Sequence, residues 1–194
     1  MRFVIATAPA TEPITSAELV SQARIDSVAA TAEATYITSL IAAARVRAEN
    51  ICGPIITQVW DGYLDRWPCD DTIVIEKPRV SAITTVKYTA LDASVATTLS
   101  ATTYLTDFAS INARIRLKWD QAWPSTTLEV INPIVIRFSA GWASAASVPA
   151  ALKQAILFLA AHWYANREAV SDTQLVDVPN TFSDLLVDYR DWSR

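Results

Sequence analysis

The feature that most constrains this chain is a helix with too little polar surface. Residues 138–168 read FSAGWASAASVPAALKQAILFLAAHWYANRE. They read as a strand end, a turn at Gly141, an Ala/Ser linker and a helix opened by Pro149. Proline suits that place because N–H groups of the first helical turn have no intrahelical acceptor. Over residues 155–164 the one clearly polar side chain is His162. Leu152, Ile156, Leu159 and Trp163 form a stripe at helical spacing, while Phe158, Ala161 and Ala165 lie on other faces. A helix apolar nearly all round must be covered nearly all round. Either it is the central core helix of a monomer, or a second chain covers what one intramolecular neighbour leaves open. We expect the second.

The rest of the 194-residue chain bounds the answer. It has room for one domain, or for one domain carrying a sizeable insertion. With 52% hydrophobic and 19% charged residues it is foldable rather than disordered. Two cysteines, Cys52 and Cys69, make no disulfide framework; they suit a reducing compartment, with a single bridge between them as the alternative. Three glycines leave no phosphate-binding loop of the GxGxxG or Walker type. No apolar run approaches the ~20 residues of a membrane span, and MRFVIATAPA lacks the apolar stretch of a secretory signal.

The formal charge of −4 resides in residues 168–194, where six acids face Arg190 and Arg194. The other 14 acids and 14 bases cancel. This balance argues against tight sequence-independent binding of nucleic acid, which needs clustered Lys and Arg. It allows a wall that DNA passes without sticking. The acidic end is either solvated or docked on a basic surface of a partner.

In chain order, residues 1–13 look like an extended arm, with Pro9 and Pro13 opposing helix. Thr15–Ser16–Ala17–Glu18 is a capping box and opens a helix over residues 16–24. A loop follows at residues 26–30. A second helix starts near Thr31 and stops at Gly53–Pro54, with Ile37, Ile41, Ala44, Ala48 and Ile51 on one stripe. Arg45, Arg47 and Glu49 sit off that stripe, on the side expected to face solvent. The period then changes. Strands are expected over residues 55–64, 72–76, 80–89, 95–99, 103–106, 114–119 and 134–138, forming an antiparallel sheet or small barrel. The fold class is therefore α+β. A small helical bundle, built from two N-terminal helices and the long C-terminal one, is interrupted by an antiparallel β domain. The expected divisions are residues 1–54, 55–140, 141–168 and an acidic tail at 169–194. In that tail, Thr181 or Ser183 caps a short helix over residues 184–189, with Leu185, Leu186 and Tyr189 on one face. Such a helix is too short to stand alone and must dock on its own body or on a partner.

Catalytic constellations are missing. The single histidine, His162, sits in the apolar helix, and Cys52 and Cys69 are far from metal-ligand spacing. There is no GxSxG motif for a Ser–His–Asp arrangement. Asp65, Asp70 and Asp71 are the nearest approach to acid–base or cation-binding chemistry, and acids beside Pro68 more often solvate a loop. No cofactor or metal is expected, and the chain does not read as an enzyme. Trp60, Trp67, Trp119, Trp123 and Trp142 either seal a small β domain or offer stacking platforms to a carbohydrate. A carbohydrate- or surface-binding module is thus the alternative reading.

The ordered set of segments resembles the head–tail connector (adaptor) proteins of long-tailed bacteriophages and phage-like gene transfer particles. The matching pieces run PITSAELVSQARID, TSLIAAARVRAENICGPIITQVWDGYLDRWP, IVIEKPRVSAITTVKYTALD, YLTD, ARIRLKWDQAWP, IVIRFSAGWASAASVPAALKQAILFLAAHWYANREAV and VPNTFSDLLVDYR. The resemblance implies a virion protein at the head–tail junction, made in the bacterial cytoplasm. It implies a homo-oligomeric ring of about a dozen copies between the portal protein and a stopper or tail-completion protein. Double-stranded DNA would pass through without sequence-specific binding, and no membrane is involved. Carried over by position, it puts Pro179, Leu185, Leu186, Tyr189 and Arg190 at the portal contact. It puts Phe158, His162, Trp163, Tyr164 and Arg167 at the interface between ring neighbours, with Asn166 on the same helix. The residues DWSR after Arg190 have no counterpart in this pattern.

Overall fold

The computed structural model describes residues 1–167 and 180–190. It divides into two compact units. Met1–Ala10 and Thr57–Gly141 form a β unit; Thr11–Ile56 and the described residues from Trp142 onward form a helical unit.

The helical unit begins with α1 (Ser16–Gln22), whose N-terminus carries the expected capping box. The Glu18 N–H donates to the Thr15 hydroxyl at 3.2 Å, and the Thr15 N–H donates back to the Glu18 carboxylate. That reciprocal bonding holds the Glu18 carboxyl below its ordinary range, first through the Thr15 backbone N–H. The expected loop at residues 26–30 is instead a short helix, α2 (Ser27–Ala32), started by Asp26, whose carboxylate accepts from the Val28 N–H. Its Ala-rich sequence has no apolar stripe, and none of its residues is buried.

Helix α3 (Ala34–Cys52) ends where Gly53 takes a left-handed φ of 79°, a conformation that favours glycine. Its buried residues include Ile37, Ile41, Ala44 and Ala48, four of the five residues of the predicted stripe, while Ile51 is half-buried. Helix α4 (Ala150–Ala165) follows a 3-10 turn at Ala145–Ser147. The last described helix, α5 (Asn180–Leu186), continues into a 3-10 turn at Val187–Tyr189. It starts earlier than predicted and contributes Phe182 and Leu186 to the core.

The β unit contains a five-stranded antiparallel sheet in the order β1-β2-β8-β4-β5 and a three-stranded one in the order β3-β7-β6. The strands are β1 (Arg2–Thr7), β2 (Gln58–Leu64), β3 (Thr72–Pro78), β4 (Val80–Tyr88), β5 (Thr97–Thr98), β6 (Tyr104–Asp107), β7 (Asn112–Leu117) and β8 (Ile134–Ala140). Residues 2–7, expected as part of an arm on the helical unit, instead pair along β2 as an edge strand. The reason lies in RFVIAT itself, which is rich in β-formers and free of proline until Pro9. Both sheets turn alternate residues inward to one core holding Ile73, Ile75, Ile115, Ile134, Ile136 and Phe138. Phe3 meets the Phe138 ring edge-on at 5.9 Å between centroids. Buried Asp61 on β2 takes two hydrogen bonds, of 2.8 and 2.7 Å, from its cross-strand neighbour Arg137 on β8. Buried Lys77 lies over Trp60, its nitrogen 4.0 Å from the ring centroid.

Candidate interface residues

The apolar surface of α4 is covered mainly by its own chain. Helices α1, α3 and α5 all pack on it, so Leu152, Ala155, Ile156, Leu159 and Ala160 are buried. This corrects the expectation that a single intramolecular neighbour covers it. That expectation missed α5, whose sequence read as a tethered end rather than a core element. No large apolar residue of α4 is fully exposed. Phe158 is half-buried and stands apart from the core cluster that takes in its neighbours Leu157 and Leu159.

The other predicted ring-interface residues gather at the C-terminal end of α4, where they are engaged within the chain. Trp163 and Tyr164 pack against the helical core. The Tyr164 hydroxyl donates to Glu33 at 2.7 Å, and Arg167 makes a two-pronged ion pair with the same carboxylate. The Arg167 guanidinium also lies 4.7 Å from the Tyr164 ring centroid and 5.0 Å from that of Tyr36. Arg167, and then Tyr164, hold the Glu33 carboxyl below its ordinary range. His162 accepts the capping bond from the Asn166 N–H through its carbonyl at 3.0 Å, and its ring nitrogen lies 3.3 Å from the Asn166 amide. The imidazole thus serves the end of a helix.

The candidate portal-contact residues separate. Leu186 is 1% exposed, and with Phe182 it anchors α5 in the helical core. It is therefore removed from the set available to a partner. Leu185 and Tyr189 are half-buried against the same core, with Tyr189 edge-on to Trp142 at 6.4 Å. Arg190 is exposed, as are Val187 and Asp188, which the sequence reading did not single out. Pro179 lies outside the described residues.

The acids considered for chemistry tie loops together, Asp65 through its carboxylate and Asp70 and Asp71 through their backbones. Asp65 accepts from the Asn132 N–H at 3.0 Å, and the carbonyls of Asp70 and Asp71 accept from the Trp123 indole and the Leu117 N–H. Among the described residues no cluster of three or more His, Cys, Asp or Glu could hold a metal ion. Nor is any described helix long and apolar enough to cross a membrane. Cys52 is buried and Cys69 exposed, and neither is in a disulfide. The Trp67 and Trp123 rings stack on each other at 4.8 Å with Tyr88 edge-on to Trp67, so these aromatics seal the β unit. Trp119 stands apart at 97% exposed.

Comparison with known proteins gives a consistent result. No curated protein matches the chain. A chain in the neck of an empty gene transfer agent (GTA) particle computed with C6 symmetry superposes with a TM-score of 0.76 at 22% identity. That match covers 98% of this chain and 95% of the other. A chain of the native GTA virion gives 0.77 at 22% identity, and one from a native GTA neck computed with C12 symmetry gives 0.68 at 21%, both with the same coverage. The α+β fold of this chain is thus the fold of those GTA chains. Residues 121–191, the stretch that holds β8, α4 and α5, match the family described as phage gp6-like head-tail connector protein, and to that family this chain is similar.

Proposed function

We propose that this chain is a head–tail connector in the neck of a tailed phage or gene transfer particle, a structural protein without a catalytic site. The observation that carries the reading is the family match over residues 121–191. It falls on the segment whose α4 and α5 close the helical core. Fold similarity over 98% of the chain to neck proteins supports it. The C6 and C12 symmetries of those necks support a ring of about twelve copies. In that ring the chain would join the portal to a stopper or tail-completion protein, and DNA would pass through. Leu185, Tyr189 and Arg190, together with Pro179 outside the described residues, would face the portal. Phe158 and the surface around Trp163 and Arg167 would meet ring neighbours.

The test is electron microscopy of particles from cells lacking this gene. Heads beside separate, complete tails support the reading. Normal tailed particles overturn it and return attention to a binding role for the β unit. Removing residues 179–194 is a poor test of portal contact, because it also strips Phe182 and Leu186 from the core. Asp188→Lys with Arg190→Glu tests the contact on exposed positions instead.

A further inference from the structure

One end of the β unit carries apolar side chains that its core does not use. Within each sheet the antiparallel registers set the ends of β2 and β4 beside the starts of β8 and β5, and the end of β7 beside the starts of β3 and β6; the loop from 65 to 71 and the Trp123–Asp70 bond join the two sets at this end. All three chain crossings to the helical unit fall near the opposite ends of these strands, beside Thr7, Gln58 and Ala140. The loops at the free end expose Trp119 by 97%, Val130 by 79%, Ile131 by 77% and Val95 by 76%. Leu91 adds to them from the loop after β4.

These loops are laced into one surface. The Leu91 N–H donates to the Thr127 carbonyl at 2.8 Å, and the Asp92 N–H to the Glu129 carboxylate at 3.2 Å. Asn132 bonds Asp65, Trp123 bonds the Asp70 carbonyl, and Trp123 stacks on Trp67. The loops from 65 to 71, 89 to 92 and 118 to 132 are therefore held together rather than splayed. A fixed surface bearing so much exposed apolar area marks an interaction site.

Its charge selects the partner. Asp65, Asp70, Asp71, Asp92, Asp120 and Glu129 lie in these loops against Arg66 and Lys118. None of the six forms an ion pair among the described residues. Acidic loops repel DNA phosphate. They also oppose self-pairing of two copies through this face, which would set carboxylate against carboxylate. We infer that this end of the β unit docks an apolar, Lys/Arg-rich protein surface carried by the neck component on the tail side, because the connector reading gives the portal and ring contacts to residues of the helical unit. This rests on the connector reading and assigns that partner its surface.

The experiment complements cells lacking the gene with Trp119→Asp plus Ile131→Asp, or with Asp70→Lys plus Asp71→Lys. All four positions are exposed, so both purified variants should unfold at the wild-type temperature; the second pair leaves the apolar residues untouched. Particles are purified, the chain is quantified in them by immunoblot, and tailed particles are counted by microscopy. The expected result is a wild-type amount of the chain in heads, with tailed particles reduced about tenfold or more, the scale of losing a central anchor. An undiminished tailed fraction overturns the inference. So does loss of the variants from heads that accept the wild type, because the face would then serve the ring or the head side. Absence of the wild-type chain from particles defeats the connector reading itself, a distinguishable result.

Discussion

Arg45 is the side chain whose surroundings depend most on charge balance. Its side chain is 9% exposed, with Nε 2.7 Å from Glu12 and Nη1 2.6 Å from Glu49. Glu49 also accepts from the Ile55 N–H at 3.0 Å, so the cluster fastens the chain just after α3. Removing one partner of a buried pair leaves the others uncompensated. Arg45→Ala should therefore lower stability by about 3 kcal/mol at neutral pH, measured by urea denaturation. A second ionic cluster yields a pH prediction. Glu33 has its folded pKa lowered by Arg167 and then Tyr164. Its contribution is thus complete above the ordinary glutamate pKa and is lost as pH falls through the depressed folded value. Glu33→Gln should be less stable than wild type at pH 7, and the difference should shrink below about pH 4. Thermal melts across that range check it. Sequence reading placed Arg45 on solvent because it lies off the apolar stripe. Nothing in α3 signals that Glu12, 33 residues earlier, supplies the compensating charge.

At the scale of elements, the legible parts were those written locally. The Thr15–Glu18 capping box, the α3 stripe and the Gly53 stop depend on residues within a turn or two of each other, and each stands where the sequence puts it. The two misplaced elements show the limit. Helix α2 has a cap but no apolar face, and β1 takes its identity from pairing with β2, more than 50 residues away. Helix α5 is the instructive intermediate. Its amphipathic face was visible, but not which surface it meets. At seven residues it has no stability of its own, so its place depends on Phe182 and Leu186. Leu186→Ala removes a side chain of 1% exposure, a change costing about 2–5 kcal/mol in a core. Because α5 is short, the loss should appear as local release. Hydrogen exchange should show residues 180–190 losing protection while α3 and α4 keep theirs. Equal loss in all three helices would mean that α5 and the bundle unfold as one.

For the whole molecule, the sequence revealed the sharing of one helical unit between two distant segments, because the helical period vanishes after Gly53 and returns after Pro149. It did not reveal two sheets, since strand spacing alone does not say which strands exchange hydrogen bonds. The candidate interface was legible only as a surplus of apolar residues on α4. The structure reduces that surplus to little more than Phe158, with the core supplying the rest of the cover. The assembly prediction therefore narrows to one ring. Phe158→Asp should leave the isolated chain folded, because the native side chain is half-buried and outside the core cluster. Leu159→Asp, one residue on and 2% exposed, should unfold it. If Phe158 meets a neighbouring subunit, the carboxylate introduced by Phe158→Asp would be desolvated at each subunit contact of a closed ring, and the penalty repeats around it. Phe158→Asp should then melt close to wild type by circular dichroism yet be strongly depleted from purified particles by immunoblot. A variant that melts normally and enters particles at the wild-type level would place the ring contact elsewhere on the helical unit.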